Sequence, residues 1–360
     1  MVEAKILTNS STSILPAKTK TTPKIFAKYR PDIMRASKKF LSNHDVAVYD
    51  MLRYSMGWKG LYAIKTSATK GKALRPTLCL LACAATGGST KQALPLAVAI
   101  EFIHNFSLIH DDIQDRDETR HHRPTLWTLT GVPKAISAGN ILRTTADSSL
   151  HNLTNAGIET EKVLEAISVL TKACLEMIEG QYLDVSYERI PNISIDDYLN
   201  MISKKTGALI KSSLHLGALI GTSNRSTINA FLSCGQSLGY LFQITDDILG
   251  IWGNQNETGK PVGSDLRRKK KSLPVVHVMT QASEKDKNIL IKTYQKSHLS
   301  DEDISNIIEV MNRTKTKEFA QTLAKTHCDK ALESLVGVKL TPETRNDLEE
   351  LIGFLFHRNH

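Results

Sequence analysis

The sequence predicts an all-α fold. Apolar residues recur at three- and four-residue spacings along most of the chain, and no hairpin dipeptide is flanked by alternating strands. Two apolar segments also end abruptly in carboxylates, which is typical of a helical bundle that holds metal ions in its core. The chain has 360 residues, of which 41% are hydrophobic, and this is enough for one large core.

Taken in order, residues 1–24 are expected to form a disordered, basic N-terminal extension, and residues 25–360 to form one domain. Two short helices are predicted between residues 25 and 56, and a long apolar helix after Pro76 ends at Gly87. The next helix runs from about Thr90 into an acidic segment near residue 111. A polar loop then extends through Pro124, and a further helix follows Gly139.

In the second half, a helix is predicted over about 159–185, with polar residues at 176, 181 and 184 on an otherwise apolar pattern. Ser194 and Asp197 fit a capping box, so a helix should begin there and carry residues 204–206. Another helix is predicted over 231–251, followed by a loop over 254–274. Ser300 and Thr341 are expected to begin the last helices.

The formal net charge of +9 is concentrated near the N-terminus, where residues 1–30 hold six Lys or Arg against Glu3 alone. No nucleic-acid-binding motif accompanies these charges, so we expect no nucleic-acid partner. Five cysteines without a CxxC pair predict a reducing compartment and a cytoplasmic location, although the Ser- and Lys-rich start mildly resembles an organelle-targeting peptide. No apolar run reaches the roughly 18–20 residues of a membrane span, so none is expected.

The first acidic motif, Asp111-Asp112-Ile-Gln-Asp115, ends an apolar segment. Residues four apart share a helix face, so Asp111 and Asp115 point the same way, and Asp112 lies about 100° round. Such charges repel each other, and a divalent cation would convert this repulsion into ligation. Mg²⁺ is suitable because it binds one or two carboxylates together with phosphate oxygens. Taken alone, the motif also fits a solvated acidic helix end.

The second acidic pair, Asp246 and Asp247, ends another largely apolar segment. Two such helices together indicate a metal site inside a bundle more strongly than either motif alone. Both motifs and the segments around them resemble the trans-isoprenyl diphosphate synthases over roughly residues 60–280. The short-chain farnesyl and geranylgeranyl diphosphate synthases are the most similar members.

This resemblance implies the isoprenoid synthase fold, a single large helical bundle around a deep central cavity, and a homodimer. It implies a prenyltransferase that condenses isopentenyl diphosphate with an allylic diphosphate, either dimethylallyl, geranyl or farnesyl diphosphate. The expected product is geranylgeranyl diphosphate, and next farnesyl diphosphate. Three Mg²⁺ ions are expected as cofactors, with Mn²⁺ as an alternative.

The resemblance also implies roles for single residues. The expected metal-binding residues are Asp111, Asp112, Asp115, Asp246 and Asp247. The expected catalytic residues are Asp111, Asp115, Arg120, Lys205, Thr206, Gln243, Asp246, Lys260 and Lys270. The expected substrate-binding residues are Lys72, Arg75, His104, Arg120, His121, Lys205 and Gln243. Phe106 and Ser107, which lie five and four residues before the first motif, are expected to set the product length.

Three departures from the family pattern keep alternatives open. His121 stands where the family has the second of two consecutive arginines, which serves isopentenyl diphosphate. Asn140 replaces a common Asp, and Ala73 replaces a common basic residue. In the second motif, Gly250 stands where many members have a third Asp, with Asp265 expected to support Asp246. A class I terpene synthase, which ionises a single prenyl diphosphate, is therefore the first alternative. A non-catalytic subunit of a prenyl synthase is the second.

Overall fold

The computed structural model describes residues 22–42, 44–62, 71–188, 190, 192–253 and 262–357. These residues confirm the all-α prediction, since helices account for nearly all of their regular structure. The predicted polar loop before residue 124 contains one small exception, an antiparallel hairpin of two-residue strands, β1 (Thr119–Arg120) and β2 (Arg123–Pro124).

The first half of the chain forms seven helices within the described ranges: α1 (Lys24–Ser42), α2 (Val48–Ser55), α3 (Leu74–Ala85), α4 (Thr90–Gln114), α5 (Leu126–Thr130), α6 (Val132–Asn155) and α7 (Thr160–Tyr187). The second half begins with α8 (Ile195–Ile202), a π-helical turn (Ser203–Gly207), α9 (Ala208–Gly221) and α10 (Arg225–Trp252). It continues with α11 (Ser264–Arg267), α12 (Leu273–Gln281), α13 (Glu284–Gln295), α14 (Asp301–Arg313), α15 (Thr316–Glu333) and α16 (Pro342–Phe356).

Helix α4 lies at the centre of the bundle, packed against α3 and α6. By length and composition it could cross a membrane, although polar residues interrupt its apolar sequence and more than half of the apolar stretch is buried inside the bundle. Its apolar side chains, such as Phe102 and Ile103, are buried in the core, which accounts for the composition.

Side-chain caps begin several helices where the sequence predicted. The capping boxes at Ser194 and Ser300 are confirmed, because each serine and the aspartate three residues later exchange hydrogen bonds with the other's backbone N–H. Thr341 likewise accepts a hydrogen bond from the backbone N–H of Thr344 at the start of α16. These caps supply hydrogen-bond acceptors for first-turn backbone N–H groups, which have no partner inside the helix.

One predicted helix start was wrong. Helix α6 begins at Val132 rather than after Gly139, since Pro133 occupies its first turn and Gly139 lies inside the helix. The His110 ring explains this glycine, because a Cβ at position 139 would lie 2.4 Å from Nε2 of His110. Helix α10 contains the predicted range 231–251, and Asn224 caps its start.

Candidate active site

A cavity of about 840 Å³ opens between α1, α3, α4, the β hairpin, α10 and α16. Its lining is rich in cations, and the described part of the chain contributes six arginine and lysine side chains: Arg30, Lys38, Lys72, Arg75, Arg120 and Arg123. Four carboxylates line the same cavity: Glu101, Asp112, Asp246 and Asp265. Basic groups of this density suit a ligand with several negative charges, such as a diphosphate.

The structure brings together the residues that the sequence assigned to isopentenyl diphosphate. Lys72, Arg75, His104, Arg120 and His121 all line the cavity. The ammonium of Lys72 lies 4.8 Å from the centroid of the Phe354 ring, a cation–π contact. Because these residues come from α3, α4 and the hairpin, only the folded bundle assembles them.

His104 is a buried acceptor rather than a cation. Nη1 of Arg75 lies 3.2 Å from Nε2 of His104, and arginine can only donate, so the imidazole accepts this hydrogen bond. Burial lowers the pKa of His104 well below its usual value, and the charges of Arg75 and Arg120 lower it further. The neutral imidazole thus orients the Arg75 guanidinium in the cavity wall.

The carboxylates at the end of α4 divide into two groups. Burial raises the pKa of Asp111 to about 6; the Lys205 charge opposes this shift and the Asp115 charge adds to it. Oδ1 of Asp115 accepts a hydrogen bond of 3.3 Å from Nε2 of Gln181 on α7. Asp112 instead pairs with Arg120, with 2.7 Å between Oδ1 and Nε. Asp112 therefore holds Arg120 at the cavity, which leaves Asp111 and Asp115 as the carboxylates that share one helix face.

The two side chains of the second acidic pair also face different surroundings, because neighbouring residues on a helix point about 100° apart. Asp246 lines the cavity, whereas Asp247 is 4% exposed and faces the core. Oδ2 of Asp247 accepts hydrogen bonds from the Tyr198 hydroxyl and from the backbone N–H of Leu273 at 2.7 Å. Burial raises the pKa of Asp247 to about 7, although these donors lower it. The predicted role of Asp247 as a metal ligand does not fit this arrangement, because protein donors engage both its oxygens.

Oδ1 of Asp247 begins a chain of hydrogen bonds to two predicted site residues, Gln243 and Thr206. It accepts a hydrogen bond of 2.9 Å from Nε2 of Gln243, and Oε1 of Gln243 accepts one of 2.7 Å from the Thr206 hydroxyl. Thr206 and Gln243 were both predicted as site residues, and the structure joins them directly. Asp247 acts as the anchor of this chain of hydrogen bonds.

The π-helical turn carries Lys205 and Thr206, where the sequence predicted an ordinary helix. Its backbone is held close to two neighbouring helices by glycines. A Cβ at Gly180 of α7 would lie 2.1 Å from the backbone N of Lys205, and one at Gly239 of α10 would lie 2.6 Å from Cα of Gly207. Single π turns inside α-helices are frequent at functional sites. Here the turn delivers Lys205 between α4 and α7.

Lys205 forms an ion pair with Asp184 on α7. Burial alone would lower the pKa of Lys205, but the nearby charges of Asp184, Asp111 and Asp115 outweigh it and raise the pKa. The lysine therefore carries its charge inside the bundle and partly balances the carboxylates of α4. Such a fixed cation suits the stabilisation of a departing diphosphate.

Lys260 is outside the described residues. Lys270 is exposed beyond α11, where its backbone N–H donates to the carbonyl of Asp265. Within the part of the chain that the structure describes, Phe106 and Ser107 are not among the residues lining the 840 Å³ cavity, and the same holds for Asp111, Asp115, Lys205, Thr206, Gln243 and Asp247. The Phe106 ring packs edge-on against His110, with 4.7 Å between ring centroids.

Asp265 occupies the space next to Gly250. A Cβ at position 250 would lie 2.1 Å from Oδ2 of Asp265, and both residues line the cavity. The carboxylate absent from α10 at position 250 is therefore replaced nearby by one from α11. The expected support of Asp246 by Asp265 stays a prediction.

Sequence reasoning did not assign Arg123, Glu101, Gln181 or Asp184 to the site. Gln181 and Asp184 left a signal, since they are polar residues on an apolar helix pattern. Gln181 is 7% exposed, and its Oε1 has no hydrogen-bond partner among the described residues. Glu101 is half-buried near Arg75, and desolvation raises its pKa. A buried acceptor without a donor indicates a place where a ligand or its hydration shell belongs.

The donor set fits Mg²⁺. Hard carboxylate oxygens of Asp111, Asp115 and Asp246 are the available ligands, and magnesium prefers such oxygens. Among the described residues, no three His, Cys, Asp or Glu side chains meet closely enough to form a complete protein cage. This is expected if phosphate oxygens of a substrate complete the coordination.

The chain was compared with known families and structures. The sequence model of a family described as Polyprenyl synthetase matches residues 61–311. A (2E,6E)-farnesyl diphosphate synthase of Mycobacterium tuberculosis is 32% identical over 311 residues, which is 86% of this chain and 85% of the relative. A geranylgeranyl diphosphate synthase of the same organism is 41% identical over 234 residues, covering 65% of this chain and 66% of the relative.

A solved structure gives the same answer for the fold. The geranylgeranyl pyrophosphate synthetase of Pyrococcus horikoshii superposes with a TM-score of 0.85 at 36% identity. The match covers 93% of this chain and 99% of that structure. Both the sequence and the architecture are therefore shared over nearly the whole length.

The close approach at the π-helical turn leads to a prediction about stability. Gly180→Ala should lower the free energy of unfolding by about 1–3 kcal/mol, because the new Cβ would press on the Lys205 backbone. Urea unfolding followed by helical circular dichroism measures this change. Gly207→Ala is the matched control, since its Cβ would meet nothing closer than 3.4 Å, and it should stay within about 1 kcal/mol of wild type. Equal effects of the two substitutions would contradict the packing argument.

Proposed function

The chain belongs to the polyprenyl synthetase family, and from this premise we propose that it condenses isopentenyl diphosphate with an allylic diphosphate to make geranylgeranyl diphosphate. It is a trans-prenyltransferase of the short-chain type. Farnesyl diphosphate is the next candidate product. Dimethylallyl, geranyl and farnesyl diphosphates are the candidate allylic substrates.

One observation carries this proposal. The cation-rich cavity also receives Asp246 from α10 and lies against the end of α4, where Asp111 and Asp115 share a face. One diphosphate can therefore bind through metal ions to the carboxylates, and a second can bind directly to the cations. A reaction that joins two diphosphate substrates needs two such places side by side.

The protein's own groups suit ionisation of the allylic diphosphate. When bound, Mg²⁺ would draw negative charge from the leaving diphosphate and so assist cleavage of the carbon–oxygen bond. Lys205 and Arg120 supply fixed positive charge for the same oxygens. Apolar residues of the cavity wall, among them Leu108, Phe242 and Leu249, exclude water from the allylic cation. The double bond of isopentenyl diphosphate then attacks the allylic cation, which forms the new carbon–carbon bond. The released diphosphate accepts the proton that the condensed product loses.

Enzymes of this family use Mg²⁺. We propose three ions, bound through Asp111, Asp115 and Asp246, with Mn²⁺ as an alternative ion. The raised pKa of Asp111, about 6, reflects a buried carboxylate that a proton or a cation can neutralise. Gln181 would hold Asp115 in place, and its unpartnered Oε1 would accept a hydrogen bond from water on the ion.

The alternatives that arose from the sequence are not favoured. The relatives named above are diphosphate synthases, including the two from Mycobacterium tuberculosis, and not terpene synthases. A non-catalytic subunit is also disfavoured, because the carboxylates of both motifs are present and the cation set around them is assembled. His121 and Asn140, which motivated the terpene synthase reading, are differences within an otherwise complete site.

We further propose a homodimer formed through α6 and α7. These neighbouring helices carry six exposed large apolar side chains: Val132, Ile136, Leu164, Leu175, Ile178 and Tyr182. Exposed apolar groups gathered in this way mark an interaction surface. The cytoplasmic location stays a prediction from the cysteine pattern.

The function is tested by incubating the enzyme and Mg²⁺ with each of the three allylic diphosphates, with and without isopentenyl diphosphate. Longer prenyl diphosphates, mainly geranylgeranyl diphosphate, should form only when isopentenyl diphosphate is present. Product chromatography after dephosphorylation identifies the chain length. Hydrocarbons or alcohols released without isopentenyl diphosphate would instead support the terpene synthase alternative.

Two variants test the metal ligands in this assay, and a third serves as the control. Asp111→Asn and Asp246→Asn keep the side-chain shape but remove the charge, so turnover should fall by about a hundredfold or more with unchanged helical circular dichroism. Asp329→Asn removes a carboxylate from an ion pair with Lys325 on α15 and should leave turnover unchanged. Comparable turnover in all three variants would remove the assignment of the metal ligands.

Product length is a separate prediction. Phe106→Ala should shift the product beyond geranylgeranyl diphosphate, because loss of the ring would open space below the first acidic motif for a longer tail. Ser107→Phe should have the opposite effect, since it adds a second aromatic ring at the neighbouring position. Chromatography of the products measures both shifts. An unaltered product distribution in Phe106→Ala would show that this ring does not form the floor of the tail site.

A further inference from the structure

The β hairpin at the cavity presents two arginines to the same side. Thr119–Arg120 and Arg123–Pro124 pair in antiparallel register, and Arg120 lies directly opposite Arg123. His121 and His122 form the connecting turn, with φ angles of 51° and 59°. Positive φ at both central residues defines a type I′ turn, whose twist matches the paired strands. Residues directly opposite in an antiparallel pair project from the same face, so both arginine side chains lie on one side of the hairpin.

Like charges directly opposite each other are destabilising. The protein resolves this for Arg120 with a carboxylate, since Asp112 accepts from its Nε at 2.7 Å. Arg123 is held differently: its guanidinium lies 4.0 Å from the centroid of the Tyr54 ring, and Nη2 donates to the Tyr54 carbonyl at 3.0 Å. The Tyr54 hydroxyl in turn donates to the Pro124 carbonyl at 2.7 Å, which locks the strand in place.

Arg123 therefore retains binding capacity. Among the described residues it has no ion pair with a carboxylate, and its Nε–H is buried without an acceptor. It nevertheless lines the cavity together with Lys72 and Arg75. A buried guanidinium donor without an acceptor is costly unless a ligand supplies one. Phosphate oxygens are acceptors that match its geometry.

We propose that Arg123 is a binding residue for the diphosphate group of isopentenyl diphosphate, supplying the guanidinium that the chain lacks at His121. This inference rests on the proposed function. Arginine keeps its charge at all physiological pH values and can bind a phosphate with two parallel hydrogen bonds. His121 occupies the turn itself, and an imidazole is largely neutral near neutral pH. The register of the hairpin thus places the required guanidinium at position 123, on the second strand, instead of at position 121.

The proposal is tested by calorimetric titration of isopentenyl diphosphate into the full-length enzyme without an allylic substrate. Arg123→Ala should weaken its binding by about tenfold or more, and Arg123→Lys should recover part of the loss. The KM for the allylic diphosphate should change by less than about twofold. Arg35→Ala, which removes an exposed guanidinium paired with Asp32 on α1, controls for the loss of one positive charge and should bind like wild type.

A rescue variant separates binding from folding. In an Arg123→Ala background, His121→Arg should restore binding of isopentenyl diphosphate, because it returns a guanidinium to the same cavity. Equal weakening for both diphosphates with a lowered melting temperature, and no rescue, would overturn the proposal by showing a structural role. Binding by Arg123→Ala that matches wild type would also overturn it. Failure of the wild-type enzyme itself to bind isopentenyl diphosphate would instead contradict the proposed function.

Discussion

Repulsion between carboxylates that converge inside the bundle is the constraint on which the rest of the site depends. The ends of α4 and α10 bring aspartates into a partly buried space, where each charge is expensive unless an opposite charge is near. Burial raises the pKa of Asp111 to about 6, and the charges of Asp115 and Asp112 add to this shift. Lys205 reduces it, and it can reach the site because the π-helical turn packs directly against Gly180 and Gly239. Backbone packing far from the cavity therefore decides where the first fixed cation stands.

The same constraint gives the site two unlike halves. On one side, Gln181 of α7 donates a hydrogen bond to Asp115, and the charge of Lys205 from the π-helical turn lies near Asp111 and Asp115. A bound metal ion would complete the charge balance there. On the other side, arginines and lysines outnumber carboxylates, so the balance there requires an anionic ligand. Asp112 lies between the two halves. We assign it to the cation-rich half, because it forms an ion pair with Arg120. Two diphosphates can thus be distinguished by whether they bind through metal ions or directly to the protein.

Much of this arrangement could be predicted from the sequence, since helix periodicity places Asp111 and Asp115 on one face and the capping box at Ser194 begins the right helix. Neighbouring carboxylates were harder, because periodicity cannot say which of Asp246 and Asp247 faces the core. The π-helical turn left no local signal, as it depends on glycines in two other helices. Arg123 was missed for a similar reason: its importance comes from pairing with Arg120 across a two-residue turn, and hairpin register is a property of the fold. Phe106 was predicted by position alone, whereas its observed neighbour is His110.

The separation of the two diphosphate sites is tested most directly by a crystal structure with Mg²⁺, isopentenyl diphosphate and an allylic analogue whose carbon–oxygen bond cannot ionise. The allylic diphosphate is predicted to lie between the carboxylates of α4 and α10, with Lys205 against its oxygens. Isopentenyl diphosphate is predicted to lie against Arg75 and Arg123 without a metal ion between them. Isopentenyl diphosphate bound through metal ions at the acidic helix ends, or found outside the cation-lined cavity, would contradict this division of the site.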